Sequence, residues 1–98
     1  MNSRQRAYLK GLGTKTDPVV HIGKASLTEE IIGGVREALE ARELIKVSVL
    51  KNCLEDPVEV GKALALAVDA QLVQVIGKKI ILYKEAYDPK NRKLSLPK

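Results

Sequence analysis

The sequence predicts one α/β domain, in which three helices and four strands follow one another as αβαβαββ and the strands form a mixed sheet. Three observations predict it. The chain is 98 residues long, one domain's worth. Short apolar runs of strand-like composition alternate with longer stretches whose apolar residues recur every three to four positions. Successive strand–helix–strand units imply parallel strands with helices packed on them, and a closing hairpin makes the sheet mixed.

From the N-terminus, Ser3 is placed to cap a first helix running to about residue 11. Tyr8, Leu9 and Leu12 form its narrow apolar stripe, and Arg6 and Lys10, four apart, share an exposed face. Gly11, Gly13, Asp17 and Pro18 then break the chain. Residues 19–22 read as the first strand. Gly23-Lys24-Ala25-Ser26 is a tight loop leading into a long helix over about 27–42, with Ser26 and Glu29 at capping-box spacing. Leu27, Ile31, Val35, Ala38 and Leu39 supply its buried face. Gly33-Gly34 inside this helix costs about 1 kcal/mol per glycine relative to Ala, which points to close packing against a strand. Residues 44–50 alternate as a second strand. Pro57 opens a third helix to about residue 70, with Val60, Leu64 and Val68 inward. Residues 72–76 and 79–84 make a hairpin around Gly77-Lys78. The domain spans 1–98, with about 86–98 a loose basic tail whose Leu94-Ser95-Leu96 can dock.

Composition narrows the function classes. Hydrophobic residues make up 45% and charged residues 30%, as in ordinary folded proteins and unlike disordered ones. No run of about 18 apolar residues is present, so no membrane association is expected. No apolar stretch follows Arg4 and Arg6, so no secretory signal is expected either. The single cysteine, Cys53, cannot pair within the chain and fits a reducing compartment, hence a cytoplasmic protein. The net charge of +5 is unevenly placed: +4 over residues 1–26, −4 over 27–76 and +5 over 77–98. If folding joins the two basic ends, they form a cationic footprint for a polyanion; otherwise they are solvated flanks of a neutral core.

Catalysis finds no support. A Cys/His pair would need His21 beside Cys53, and no third group orients them. His21 reads as a strand residue with a hydrogen-bonded ring. No set of three or four ligands has zinc-site spacing, and no phosphate-loop or dinucleotide fingerprint appears, so no catalytic residue, metal, cofactor or small-molecule substrate is expected. Glu29, Glu30, Glu37, Glu40 and Glu43 read as a solvated helix face.

Gly23-Lys24-Ala25-Ser26 is the sharper feature. A strand, a short glycine-containing loop and a helix N-terminus together present free backbone N–H groups, which favour an anion, and Lys24 adds a positive charge there. Spacing alone favours an ordinary strand-to-helix turn with an incidental lysine. Tyr8, Tyr83 and Tyr87 are the only aromatics, and the predicted sheet offers Tyr83 alone, so base stacking is not the expected source of affinity for a nucleic acid. Phosphate contacts fit better.

Several ordered motifs resemble one family. They are Gly23-Lys24-Ala25-Ser26-Leu27-Thr28-Glu29, the segment 38–47 (Ala-Leu-Glu-Ala-Arg-Glu-Leu-Ile-Lys-Val) and the segment 72–84 (Leu-Val-Gln-Val-Ile-Gly-Lys-Lys-Ile-Ile-Leu-Tyr-Lys). Arg4-Gln5-Arg6-Ala7-Tyr8-Leu9-Lys10 and the closing Leu94-Ser95-Leu96-Pro97 fit as well. Together they resemble the YhbY-like, or CRM (chloroplast RNA splicing and ribosome maturation), domain in its short stand-alone bacterial form. The resemblance implies a fold similar to the C-terminal domain of translation initiation factor three. It implies RNA binding and, for stand-alone members, association with precursors of the large ribosomal subunit. It also implies that a GxxG loop contacts RNA, and here that loop maps onto Gly23, Lys24, Ala25 and Ser26. Ser26 replaces the second glycine, which makes close backbone approach and positive φ harder.

The expectation is therefore a monomeric RNA-binding assembly factor. Its RNA contacts would be Gly23, Lys24, Ala25 and Ser26 on the loop, Arg4, Arg6 and Lys10 on the first helix, and Lys78, Lys79 and Lys84 on the hairpin. The alternatives are an Alba-like DNA-binding architectural protein and a ribosome-associated protein–protein adaptor.

Overall fold

A computed structural model describes residues 1–97; Lys98, the last residue of the expected tail, lies outside them. The elements are α1 (Ser3–Thr14), β1 (Pro18–Ile22), α2 (Glu29–Arg42), β2 (Leu44–Val49), α3 (Pro57–Val68), β3 (Gln71–Ile76), β4 (Lys79–Tyr83) and a short 3-10 turn, Pro89–Asn91. The strands lie in the order β1-β2-β4-β3. β1 and β2 are parallel, and β4 runs antiparallel to both neighbours, so the hairpin inserts its second strand between β2 and β3.

The period-two alternation of the strands divides the core into two layers. One set of alternate residues, Ile22, Ile45, Val47, Val49, Ile80 and Leu82, packs under α2 and α3 against Val35, Leu39, Val60, Leu64 and Val68. The other set, Leu44, Ile81 and Tyr83, joined by Val73 at an irregularity in β3, packs under Leu9 of α1. Gly13 lets α1 lie close on β4, because a Cβ there would stand 2.5 Å from Ile81 Cδ1. Gly61 does the same for α3, where a Cβ would be 3.2 Å from Val75 Cγ2.

Several local expectations are corrected. Asn2, not Ser3, caps α1: its side chain accepts the Gln5 N–H at 2.8 Å, and the Gln5 side chain accepts the Asn2 N–H at 3.2 Å. Residue 5 can close that box, whereas Arg6, three after Ser3, has no acceptor to offer. The helix continues past Gly11 to Thr14 because Leu9 and Gly13 still face the sheet. Thr28, not Ser26, caps α2, accepting the Ile31 N–H at 3.1 Å. A Cβ on Gly33 or Gly34 would meet nothing within 4 Å, so close packing does not account for this pair and nothing else in the structure explains it. Most of the tail is docked, with Leu94 and Leu96 against the α1 layer.

Candidate nucleic-acid interface

The two ends of the sheet differ in how it is covered. α1 packs on β2, β3 and β4, crossing the end where Leu44 and Tyr83 pair. At the opposite end the same face is open. One register row there runs His21, Ser48, Lys79 and Ile76 across all four strands. His21, Lys79 and Ile76 are exposed. Ser48 is covered, and its hydroxyl accepts from Lys79 Nζ at 2.7 Å, which holds that ammonium over the sheet. Lys46 lies one step inward on the same face.

This end also carries three turns. Gly23-Lys24-Ala25-Ser26 leaves β1 and is closed by the Ser26 N–H donating to Gly23 O at 3.0 Å, with Lys24 and Ala25 exposed. Ser26 takes φ +58°, the left-handed conformation that glycine adopts without cost. Ser26 thus holds a conformation suited to glycine, and it lies outside the helix cap, which Thr28 supplies. The turn 50–53 leaves β2 and is closed by the Cys53 N–H donating to Leu50 O at 3.0 Å. The hairpin turn places Gly77 at φ +57° beside Lys78. Among the described residues, the ammonium groups of Lys24, Lys51 and Lys78 have no hydrogen-bond or ion-pair partner within the protein. Of the acids that follow these turns, Glu29, Glu30 and Glu59 sit in the first turns of α2 and α3, which pack on the other face of the sheet, Asp56 caps α3, and Glu55 is exposed just before it. A polyanion is thus directed to the open face and the turn tips.

Of the residues read from the sequence, the fold brings together Gly23, Lys24, Ala25, Ser26, Lys78 and Lys79. It does not bring Arg6 or Lys84 to them. Arg6 Nη1 donates to Leu72 O and Val73 O, both at 2.9 Å, and ties α1 to the irregularity in β3. Lys84 Nζ donates to Val68 O at 3.0 Å, closing the end of α3. Arg4 and Lys10 stand on α1 beside Arg6, so the expected single surface of head and tail cations is divided. The reading missed Lys51, Lys46 and the exposed setting of His21, whose ring has no hydrogen-bond partner among the described residues. Only the strand register, which pairs His21 with Ser48, could have revealed their proximity. Cys53 is buried in the layer under α2 and α3, on the face opposite His21, so no Cys/His pair forms.

The far end consumes its charges. Glu43, expected on a solvated helix face, is fully buried at φ +65° just after α2. Its carboxylate accepts the backbone N–H groups of Ala86, Lys93 and Leu94. Burial opposes its ionisation, but these three donors, helped by Arg92, hold the carboxyl below its ordinary 4.5. Glu40 accepts from the Asp88 and Tyr87 N–H groups and the Asn91 side chain, which likewise lower its pKa. Between these anchors lies a cleft of about 430 Å³ lined in part by Arg36, Glu40, Lys84, Tyr87 and Arg92.

Known proteins resemble this chain in sequence and fold. The CRS1 / YhbY (CRM) domain matches residues 1–84. The chain is 42% identical over 97 residues to "Probable RNA-binding protein YqeI" of Bacillus subtilis, covering 99% of both chains. It is 33% identical over 90 residues to an "RNA-binding protein" of Haemophilus influenzae, covering 92% of this chain and 91% of that one. Its fold superposes with a TM-score of 0.79 and 39% identity on the solution structure of a hypothetical protein from Staphylococcus aureus, described as a candidate RNA-binding protein, over 99% of each chain. The domain match over most of the length, and the same fold throughout, place this chain in the CRS1/YhbY (CRM) domain family.

Proposed function

We propose that the protein binds RNA through its sugar-phosphate backbone at the open end of the sheet. In the cytoplasm it acts as a monomeric assembly factor on precursors of the large ribosomal subunit. The observation that carries the RNA reading is the convergence of Lys24, Lys78 and Lys79 around exposed turns with Ser26 held in the left-handed conformation. The ammonium groups of Lys24 and Lys78, partnerless among the described residues, and that of Lys79, held by Ser48, exchange condensed counterions for phosphates, and this supplies affinity without reading bases. The tyrosines support that mode: Tyr83 is buried under α1, Tyr8 lies on α1, and Tyr87 lies at the far end, so none offers a stacking platform on the open strip. Arg6 and Lys84 serve the fold in this reading. The ribosomal assignment is supported by the resemblance of the chain to stand-alone bacterial members of the family.

Binding of structured RNA and of matched duplex DNA across a salt series tests the first part. The triple variant K24A/K78A/K79A should lower the slope of log K against log salt by about 2 to 3 units. An unchanged slope, or tighter binding to DNA than to RNA, would overturn the reading. Sedimentation of the tagged protein through a lysate gradient tests the second part. Co-migration with particles lighter than the mature large subunit, lost after nuclease treatment, is expected; absence from those fractions removes the ribosomal role.

A further inference from the structure

We infer that the turn 50–53 is a second RNA-contacting turn, a twin of the Gly23-Lys24-Ala25-Ser26 turn, with Lys51 on a phosphate and Asn52 hydrogen-bonded to the same strand. The inference rests on the RNA-binding reading and extends it to residues outside the loop.

The register of the two parallel strands carries it. Ile22 pairs with Val49, and the Leu50 N–H donates to Ile22 O at 2.8 Å, so both strands leave the sheet side by side. Each then makes a turn closed by a backbone hydrogen bond of 3.0 Å between its first and fourth residues. Lys51 is the second residue of its turn as Lys24 is of the other, and Asn52 the third as Ala25 is. Adjacent strands lie about 4.8 Å apart, and the Asn52 side chain against Gly23 keeps the two turns next to each other beyond the sheet. Both ammonium groups lack a partner among the described residues. Two such cations side by side repel each other, and a phosphate chain passing over both turns relieves the repulsion.

Asn52 distinguishes the second turn from the first. A Cβ on Gly23 would lie 3.4 Å from Asn52 Oδ1 and 3.6 Å from Nδ2, so the carboxamide rests against the glycine of the neighbouring turn. It is exposed, and its side chain makes no hydrogen bond among the described residues. A carboxamide offers both donors and acceptors, which match a ribose hydroxyl or a base edge where phosphate-only groups do not. The acids that follow do not occupy Lys51. Asp56 caps α3 by accepting the Val58 N–H at 3.2 Å, and Glu55 makes no ion pair among the described residues.

The test measures binding of a single-stranded RNA and an RNA hairpin by K51A, N52A, K24A and the exposed-lysine control K62A, over a salt series. K51A should lower the slope by about 0.7 to 0.9 and weaken binding about four- to sixfold near physiological salt, as K24A does. N52A should weaken binding with the slope unchanged, because the side chain is neutral. K62A, on α3, should bind as the parent does. If K24A is weakened while K51A and N52A bind like the parent, the second turn has no role and the RNA-binding reading survives. If K51A and K62A lose affinity equally, Lys51 acts only through net charge and the inference falls. If the parent protein binds neither RNA, the underlying reading fails with it.

Discussion

The two ends of the sheet use the same residue types for opposite purposes. At the turn end, the ammonium groups of Lys24, Lys51 and Lys78 have no partner among the described residues. At the tail end, Arg6, Arg36, Lys84 and Arg92 donate to backbone carbonyls, and Glu40 and Glu43 accept backbone N–H groups. A charge whose hydrogen-bonding capacity is consumed internally stabilises the fold, whereas one left open is available to a ligand. Sign and sequence position do not distinguish the two; the location of acceptors does.

The largest effect should come from Glu43→Ala. Three backbone donors lose their acceptor in a buried site, which should cost about 3 to 5 kcal/mol, read as a lower urea midpoint. The salt slope of RNA binding should stay as in the parent. A change in that slope would break the separation of the two ends.

Acid titration sharpens the same point. The folded-state pKa values of Glu43 and Glu40 lie below their ordinary 4.5, so their contribution to stability is complete above that value. It is lost as pH falls through the lower folded values. The urea midpoint should therefore drop on acidification below about pH 4.5, and Glu43→Gln should flatten that drop. An equally steep fall in E43Q would show that other carboxylates govern it.

Arg6→Ala and Lys84→Ala come next. Each removes a charged donor from carbonyls in a partly buried setting, at about 1 to 2 kcal/mol. Lys24→Ala should leave the urea midpoint unchanged and alter only the salt slope. A variant that moved both readouts would merge the two ends into one surface. The smallest effect belongs to Ser26→Gly, which should relieve a left-handed side-chain penalty of about 1 kcal/mol or less and keep RNA affinity.

Most of the fold was legible because its signals are local. Alternation in residues 44–49 and 71–83, helical spacing over 29–42 and Pro57 after Asp56 each depend on neighbours within a few positions. Helix starts were misplaced where two capping residues compete within two positions, as with Asn2 against Ser3 and Thr28 against Ser26. The tail was misread because its docking depends on Glu43, a glutamate that looks like any exposed one until Ala86, Lys93 and Leu94 arrive around it. Lys51 was missed for the same reason: nothing in residues 50–53 marks a site until β1 lies alongside.

From its residue pattern alone, this chain determines its elements, their order, the family motifs and the exposed lysine turn that opens α2, since each is encoded over a few adjacent residues. Only the tertiary structure decided which cations are engaged and which are open, that the turn carrying Lys51 lies against Gly23 of the turn carrying Lys24, and that Glu43 anchors the tail. Those outcomes depend on strand register and on acceptors tens of residues away, and no local pattern carries that distance.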